Sequence, residues 1–179
     1  MQSLKIALLP EIKIVNTVCT ADLKQEIVLT SFNKYEHLSA NLDLYACGYV
    51  KNKTMIGRVT VFRTGKLISV GTKSIESGFK ELEIAVKLLT KYKLIKPYKL
   101  EPITQNIVTN VNLERTIDLE KFALILPKVM YEPEQFPGLI LRFLGSTVAL
   151  VFASGKIILT GAKSYEELNT AYFELNNTF

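Results

Sequence analysis

The sequence contains one segment twice, and this duplication limits the possible folds more than any other feature. Residues 61–74 (VFRTGKLISVGTKS) match residues 151–164 (VFASGKIILTGAKS) in order, and equivalent positions such as Phe62 and Phe152 are 90 residues apart. Each copy has alternating hydrophobic residues on both sides of a glycine turn, at Gly65 and Gly155, which predicts a β-hairpin. An offset of half the chain length predicts two equivalent halves that carry two versions of one surface.

The hydrophobic pattern predicts the same order of elements in both halves: a strand, a short helix, four strands and a long helix. In the first half, strands are predicted at 12–21, 45–51, 58–62 and 66–70 and helices at 24–35 and 74–93; residues 37–45 are unassigned, so one of the five strands of this half has no predicted bounds. In the second half, strands are predicted at 103–111, 129–131, 138–143, 147–152 and 156–160 and helices at 118–126 and 164–176. Ser74 and Asp118 are expected to cap their helices. The two prolines of residues 96–102 divide the chain into repeats 1–97 and 98–179.

The helices determine how these elements pack. Each long helix has one apolar stripe and therefore covers only one face of a sheet. A half-sheet alone would leave an open edge, so we expect the two half-sheets to join edge to edge into one continuous antiparallel sheet. The predicted fold is α+β with pseudo-two-fold symmetry, with helices on one face of the sheet and the other face uncovered.

The composition is that of an ordinary folded protein, because 48% of the 179 residues are hydrophobic and 22% are charged. No apolar run reaches the length of a membrane span, and the net charge of +5 permits a nucleic-acid partner without establishing one. Cys19, Cys47 and His37 have no second ligand or base at a suitable spacing, and no phosphate-binding loop or nucleophile motif is present. We therefore expect no enzymatic activity, no catalytic residue, no cofactor and no metal.

The uncovered sheet face carries an unusual set of residues for a surface exposed to water. Asn16 and Asn106 lie mid-strand at equivalent positions, and Val18, Val108 and Thr160 share their face if the strands alternate regularly. Apolar side chains with amide donors fit the minor groove of nucleic acid, whose floor presents acceptors and whose walls are apolar sugars. The pattern is equally consistent with valines that face the helices and asparagines that hydrogen-bond a local turn.

Aromatic and basic residues repeat around this face. Phe62 and Phe152 each end a strand before a glycine turn, and each has a second aromatic residue nearby, Tyr45 and Phe136 respectively. Paired aromatics at both ends of a sheet are suited to unstacking base steps, although an aromatic at a hairpin end more often packs into the core. Six basic residues occupy corresponding places and are candidates for phosphate contacts: Lys51, Lys66, Lys73, Arg142, Lys156 and Lys163.

Four segments of the second half resemble the TATA-box-binding protein family of the archaeal type. They are residues 105–108 (QNIV), 131–142 (YEPEQFPGLILR), 152–156 (FASGK) and 160–164 (TGAKS). The resemblance covers essentially the whole chain and is weaker in the first half. It implies a saddle whose concave sheet face binds double-stranded, AT-rich promoter DNA in a widened minor groove.

The resemblance also implies roles for the candidate residues: base-edge contacts, groove-lining contacts and two aromatic pairs that insert into DNA. Asn16 and Asn106 are the residues that contact base edges, and Val18, Val108 and Thr160 line the groove. The inserting aromatic pairs are Phe136 with Phe152 and Tyr45 with Phe62. The loop that carries Glu132, Glu134 and Gln135 resembles the stirrup that recruits transcription factor B. RNA polymerase is then an indirect partner, recruited through transcription factor B. The implied location is the nucleoid of an archaeal cell or the nucleus of a eukaryotic one.

The first half departs from the family pattern. Tyr45 replaces a phenylalanine, Val70 stands where the second half has Thr160, and residues 46–48 (ACG) lack a Pro-Gly pair. Lys51 matches Arg142 at an offset of 91, which predicts one inserted residue between Lys51 and Phe62. Asn41 and Asp43 replace the acidic pair of the stirrup. The leading hypothesis is a DNA-bending initiation factor with a weaker first half, and the alternative is a divergent relative that acts mainly as a protein-interaction module.

Overall fold

The structure, a computed structural model, describes residues 12–143 and 145–179. These residues divide into two compact units. The first unit is Asn16–Gln105, and the second unit is Asn106–Phe179 together with residues 12–15.

The elements follow one another in the same order in both halves. In the first half they are β1 (Lys13–Asp22), a 3₁₀ helix (Leu29–Lys34), β2 (Leu38–Ala40), β3 (Cys47–Val50), β4 (Arg58–Phe62), β5 (Lys66–Thr72) and α1 (Ile75–Lys91). In the second half they are β6 (Ile103–Asn112), α2 (Leu119–Ile125), β7 (Val129–Met130), β8 (Leu139–Arg142), β9 (Val148–Val151), β10 (Lys156–Ala162) and α3 (Tyr165–Thr178). Paired strands are antiparallel, in the orders β2-β3-β4-β5-β1 and β6-β10-β9-β8-β7.

The predicted order of a strand, a short helix, four strands and a long helix is therefore confirmed in both halves. The two predicted hairpin turns are confirmed as well. The backbone N–H of Gly65 donates to the carbonyl of Phe62 at 2.9 Å, and that of Gly155 donates to the carbonyl of Phe152 at 2.9 Å. These glycine turns bring β5 back beside β4 and β10 back beside β9.

The short helix predicted at 24–35 is present but begins too early in the prediction, because only Leu29–Lys34 is helical, as a 3₁₀ helix. The backbone N–H groups of Leu23 and Ile27 donate to the carbonyls of Gly65 and Arg63, at 3.0 and 2.9 Å. This stretch is therefore bound to the turn of the distant β4–β5 hairpin, and its donors are not available for an α-helix.

The predicted strand at 45–51 begins too early. The N–H of Tyr45 donates to the carbonyl of Asn41 at 2.9 Å, so Tyr45 lies in a turn and β3 begins at Cys47. The unassigned segment before it contains β2, which pairs with β3.

The long helices cover one face of each sheet. Ser74 caps α1 by accepting from the N–H of Ser77 at 3.1 Å, and Ser164 caps α3 by accepting from the N–H of Glu167 at 3.1 Å. The side chains that α1 buries are Leu82, Ala85, Val86 and Leu89, together with the carboxylate of Glu81, and those that α3 buries are Leu168, Ala171 and Leu175. Three other apolar residues of α1, Phe79, Ile84 and Leu88, are only partly buried at the margin of the hydrophobic core.

Candidate nucleic-acid interface

In each unit the strands alternate between fully buried side chains and half-buried or exposed ones. In β4, Val59 and Val61 are fully buried while Arg58, Thr60 and Phe62 are not. The half-buried and exposed side chains of β4, together with the half-buried and exposed side chains on the same face of the neighbouring strands, form what we call the open face of the unit. The open face of the first unit carries Val18, Thr20, Tyr49, Arg58, Thr60, Phe62, Ile68 and Val70. That of the second unit carries Val108, Asn110, Ile140, Arg142, Val148, Leu150, Phe152, Ile158 and Thr160.

Val18 and Val108 lie on these open faces, so the alternative in which they face the helices is wrong. Cys19, the neighbour of Val18, is fully buried, and its Sγ lies 2.6 Å from where a Cβ on Gly78 of α1 would be. Because successive side chains of a strand point to opposite faces, Val18 points away from α1. Val108 is likewise flanked by two fully buried residues, Ile107 and Thr109.

The two asparagines are fixed in orientation by bulges in the neighbouring strands. Asn16 Oδ1 accepts from the N–H of Gly71 at 2.8 Å, and Asn106 Oδ1 accepts from the N–H of Gly161 at 2.8 Å and from the hydroxyl of Thr160 at 3.3 Å. The glycines have φ angles of 98° and 92°, a conformation that residues with a Cβ rarely adopt. Asn106 Oδ1 thus accepts two hydrogen bonds and Asn16 Oδ1 accepts one, and neither Nδ2 has a hydrogen-bond partner among the described residues. Both asparagines therefore present their Nδ2 donors to a ligand.

Phe136 and Phe152 form an edge-to-face pair in the second unit. Their ring centroids are 5.8 Å apart and the ring planes meet at 64°. The ring of Phe136 occupies space that Gly138 leaves free, because a Cβ at position 138 would lie 2.7 Å from its Cε1. Phe152 is only half-buried, so this pair stands at the surface and not in the core.

The aromatic pair of the first unit is different. Tyr45 lies in the same kind of turn as Phe136, since the N–H of Phe136 donates to the carbonyl of Glu132 at 2.9 Å as that of Tyr45 donates to Asn41. Tyr45 is 57% exposed, and within residues 12–143 and 145–179 no ring contact joins it to Phe62. Cys47 occupies the place of Gly138, so the space that receives the ring in the second unit is filled by a side chain here.

The lysines at the two hairpin tips also differ in their surroundings. Lys156 pairs across the strands with Asn112, whereas Lys66 pairs with Asp22. The Asp22 carboxylate also forms an ion pair with Lys24, at 3.4 Å. A hydrogen bond from the Lys24 backbone N–H, at 2.9 Å, is the main reason why the pKa of Asp22 lies below its ordinary value. The first unit thus has a carboxylate where the second has an uncharged amide.

A hollow adjoins each hairpin tip. One of about 740 Å³ lies in the first unit and one of about 650 Å³ in the second. Equivalent residues line them, namely Phe62, Lys66 and Ile68 in one and Phe152, Lys156 and Ile158 in the other.

The strand registers confirm the predicted one-residue insertion. Phe62 and Phe152 keep the offset of 90, but the residues paired with their strands, Tyr49 opposite Thr60 and Ile140 opposite Leu150, differ by 91. The extra residue lies between Lys51 and Arg58.

The Lys51 ammonium hydrogen-bonds to the carbonyls of Met55 at 2.8 Å, Ile56 at 2.7 Å and Gly57. Its three donors are used within this loop, while its phosphate contact stays a prediction.

The remaining predicted residues are solvent-accessible. Arg142, Lys73 and Lys163 are exposed, the last two directly before the caps of α1 and α3. Glu132, Glu134 and Gln135 are exposed in the turn before Phe136, as are Asn41 and Asp43 in the equivalent turn of the first unit.

Three residues that sequence reasoning missed distinguish the first unit. Arg58 lies on the open face where the second unit has Val148, Asp22 stands where it has Asn112, and buried Glu81 stands where it has Ala171. Comparing the two repeats position by position would have found all three.

Known proteins resemble this chain over nearly its whole length. The family model described as "Transcription factor TFIID (or TATA-binding protein, TBP)" matches residues 11–92 and 101–178. The TATA-box-binding protein of Cenarchaeum symbiosum is 38% identical over 165 residues, covering 91% of each chain. That of Pyrobaculum aerophilum is 38% identical over 176 residues, covering 94% of this chain and 85% of the relative. The solved structure of Methanococcus jannaschii TBP superposes with a TM-score of 0.82 at 30% identity, covering 94% and 98% of the two chains.

No group of three metal-ligating side chains occurs in the described part of the chain. None of the helices in the same ranges is long and apolar enough to cross a membrane.

Proposed function

This chain belongs to the TATA-binding protein family, and we propose that its open faces bind and bend promoter DNA through the minor groove. The family consists of general transcription factors and not of enzymes. The proposed DNA is double-stranded and AT-rich, and the proposed location is the nucleoid or nucleus in which such DNA lies.

The orientation of Asn16 and Asn106 is the observation that carries the proposal. Each amide oxygen is held by a backbone N–H, which fixes the side chain and leaves the two Nδ2 hydrogens for a ligand. The floor of the minor groove at A·T and T·A pairs presents only acceptors, adenine N3 and thymine O2. The apolar neighbours Val18 and Val108 match the apolar sugar walls of the groove.

The surrounding residues supply the two other properties that the proposal needs. The Phe136–Phe152 pair is partly exposed and suited to enter between base pairs, which unstacks the step and bends the duplex. Lys66, Lys156 and the other exposed cations supply the phosphate contacts that position the protein.

We further propose that the stirrup residues Glu132, Glu134 and Gln135 contact transcription factor B, and that RNA polymerase is recruited through it. The carboxylates of Glu132 and Glu134 are exposed in the turn before Phe136 and are not part of the open face, so they are available to a protein partner with a basic surface.

A bending assay tests the proposal. An AT-rich promoter duplex labelled at both ends is titrated with the protein over a range of salt concentrations, with and without transcription factor B, and energy transfer is measured. We expect Phe152→Ala to weaken bending more than Lys156→Ala, which should mainly reduce the dependence of affinity on salt. Lys87→Gln, which removes one exposed charge from α1, is the control. If the unsubstituted protein bends no duplex under either condition, the proposal is wrong.

A second candidate function is a protein-interaction module with little DNA binding. Two observations favour it: the carboxylate of Asp22 opposite Lys66, and the isolation of Tyr45 from Phe62. It predicts binding of transcription factor B that Glu132→Ala with Glu134→Ala abolishes, without any energy transfer in the bending assay.

A further inference from the structure

One cation of the first unit lies on its open face and not around it. Arg58 is the first residue of β4, shares its face with Thr60 and Phe62, and is paired across the strands with Val70. The equivalent residue of the second unit is Val148, which faces Thr160. The first unit therefore has a guanidinium at a place where the second has an aliphatic side chain.

The Arg58 guanidinium is oriented but not neutralised. Its Cζ lies 4.8 Å from the centroid of the Tyr49 ring, a cation–π contact that restricts the side chain to the open face. No carboxylate pairs with it and no acceptor hydrogen-bonds to it in the described ranges. A guanidinium has five N–H donors and no acceptor, so this surface can bind only acceptors.

Hydrogen bonds hold both backbone groups of Gly57, the residue directly before Arg58. The N–H of Gly57 donates to Oε1 of Glu81 at 2.7 Å, and the carbonyl of Gly57 accepts from Lys51. Glu81 is 4% exposed and also accepts from the hydroxyl of Ser69, at 3.4 Å. These contacts hold the loop with the inserted residue and fix where β4 begins. Among the described residues they occur only in the repeat that has the arginine.

We propose that Arg58 reads base edges in the minor groove beneath the first unit, donating to purine N3 and pyrimidine O2 and disfavouring a guanine amine at that step. This inference rests on the proposed function. Because Val148 has no donor, the two units discriminate differently between A·T and G·C pairs. An asymmetric preference of this kind favours one of the two orientations in which a protein built from two similar repeats can bind its site.

The position of Arg58 argues for a base contact and against a phosphate contact. The candidate phosphate ligands Lys66 and Lys156 are at hairpin tips, whereas Arg58 lies between Tyr49 and Val70 in the interior of the open face. A cation at the floor of a groove meets base acceptors before it meets the backbone phosphates.

Single-base substitution with 2,6-diaminopurine tests this assignment, since it adds only an N2 amine to adenine in the minor groove. A series of AT-rich duplexes, each with one substituted adenine, is titrated with the unsubstituted protein, Arg58→Val, Arg58→Lys and the control Lys87→Gln. We expect the unsubstituted protein and the control to lose about tenfold in affinity at one or two positions within one half of the site. Arg58→Val, which copies Val148, should lose that local penalty, and Arg58→Lys should reduce it while keeping the charge.

Three outcomes would overturn the inference. One is an identical pattern of penalties for the unsubstituted protein and Arg58→Val. Another is a uniform loss of affinity in Arg58→Val with a salt slope lower by about one, which is the signature of a phosphate contact. If the unsubstituted protein binds no AT-rich duplex, the proposed function itself is wrong and the inference falls with it. Circular dichroism and urea unfolding of each variant separate a loss of folding from all three.

Discussion

Asp22→Asn should increase the affinity of the protein for DNA. The second unit already contains this substitution, because Asn112 stands at the equivalent position opposite Lys156. Asn112 Oδ1 accepts from the N–H of Glu114 at 3.1 Å, just as Asp22 Oδ1 accepts from that of Lys24 at 2.9 Å. An asparagine at position 22 can therefore keep the turn and remove only the negative charge.

The size of the effect follows from the number of phosphates that the first unit neutralises. Without the carboxylate opposite it, Lys66 can contribute fully to one phosphate contact, which steepens the slope of log affinity against log salt by up to about 0.9. The ratio of the DNA affinity of Asp22→Asn to that of the unsubstituted protein should then fall about threefold between 50 and 200 mM salt. Because its pKa is lowered, Asp22 remains ionised at neutral and mildly acidic pH, so the gain should not change across that range.

The assay is a fluorescence-anisotropy titration of an AT-rich duplex at four or five salt concentrations. Asn112→Asp is the matched opposite variant and should lose affinity with a shallower slope. Lys24→Gln removes the other ion-pair partner of Asp22 and tests whether that lysine offsets the carboxylate. Equal slopes for Asp22→Asn and the unsubstituted protein would refute the idea that the carboxylate weakens the first unit.

Three further substitutions test other contacts. Thr160→Val, which copies Val70, removes one of the two donors to Asn106 Oδ1 and should weaken DNA binding severalfold in anisotropy titrations without changing the urea midpoint. Gly138→Cys, which copies position 47, should displace the ring of Phe136 and reduce bending more than affinity, as energy transfer against anisotropy would show. Glu81→Ala leaves a buried N–H of Gly57 without its partner and should lower the free energy of unfolding by about 1–3 kcal/mol, whereas Glu81→Gln should cost less. Each expectation fails if the variant is indistinguishable from the unsubstituted protein in the named measurement.

Local signals in the sequence were sufficient for most of the fold. The Gly65 and Gly155 turns, the helix caps at Ser74 and Asp118 and the strand alternation each depend on residues close together in the sequence. The duplication strengthens these signals, because the same pattern occurs in both halves of the sequence. No local pattern assigns the segment 24–28 correctly, because it is hydrogen-bonded to the distant β4–β5 turn through the N–H of Ile27 and the carbonyl of Arg63.

The candidate site was predictable in its residue types but not in its chemistry. The sequence indicated that Asn16 and Asn106 matter, but only the bulges at Gly71 and Gly161 determine which amide atom remains available. The hydrogen bonds of Lys51 could not be predicted from the sequence either. The carbonyls that accept from its ammonium belong to a loop whose conformation depends on buried Glu81.

The most direct test of minor-groove binding replaces every A·T pair of the promoter duplex with inosine·cytosine. These pairs present the same acceptors in the minor groove as A·T pairs, but the major-groove pattern of G·C. Binding through the open faces predicts an affinity within a few-fold of that for the A·T duplex, at the same salt concentration. A fall to the affinity of an unrelated G·C duplex would contradict the account.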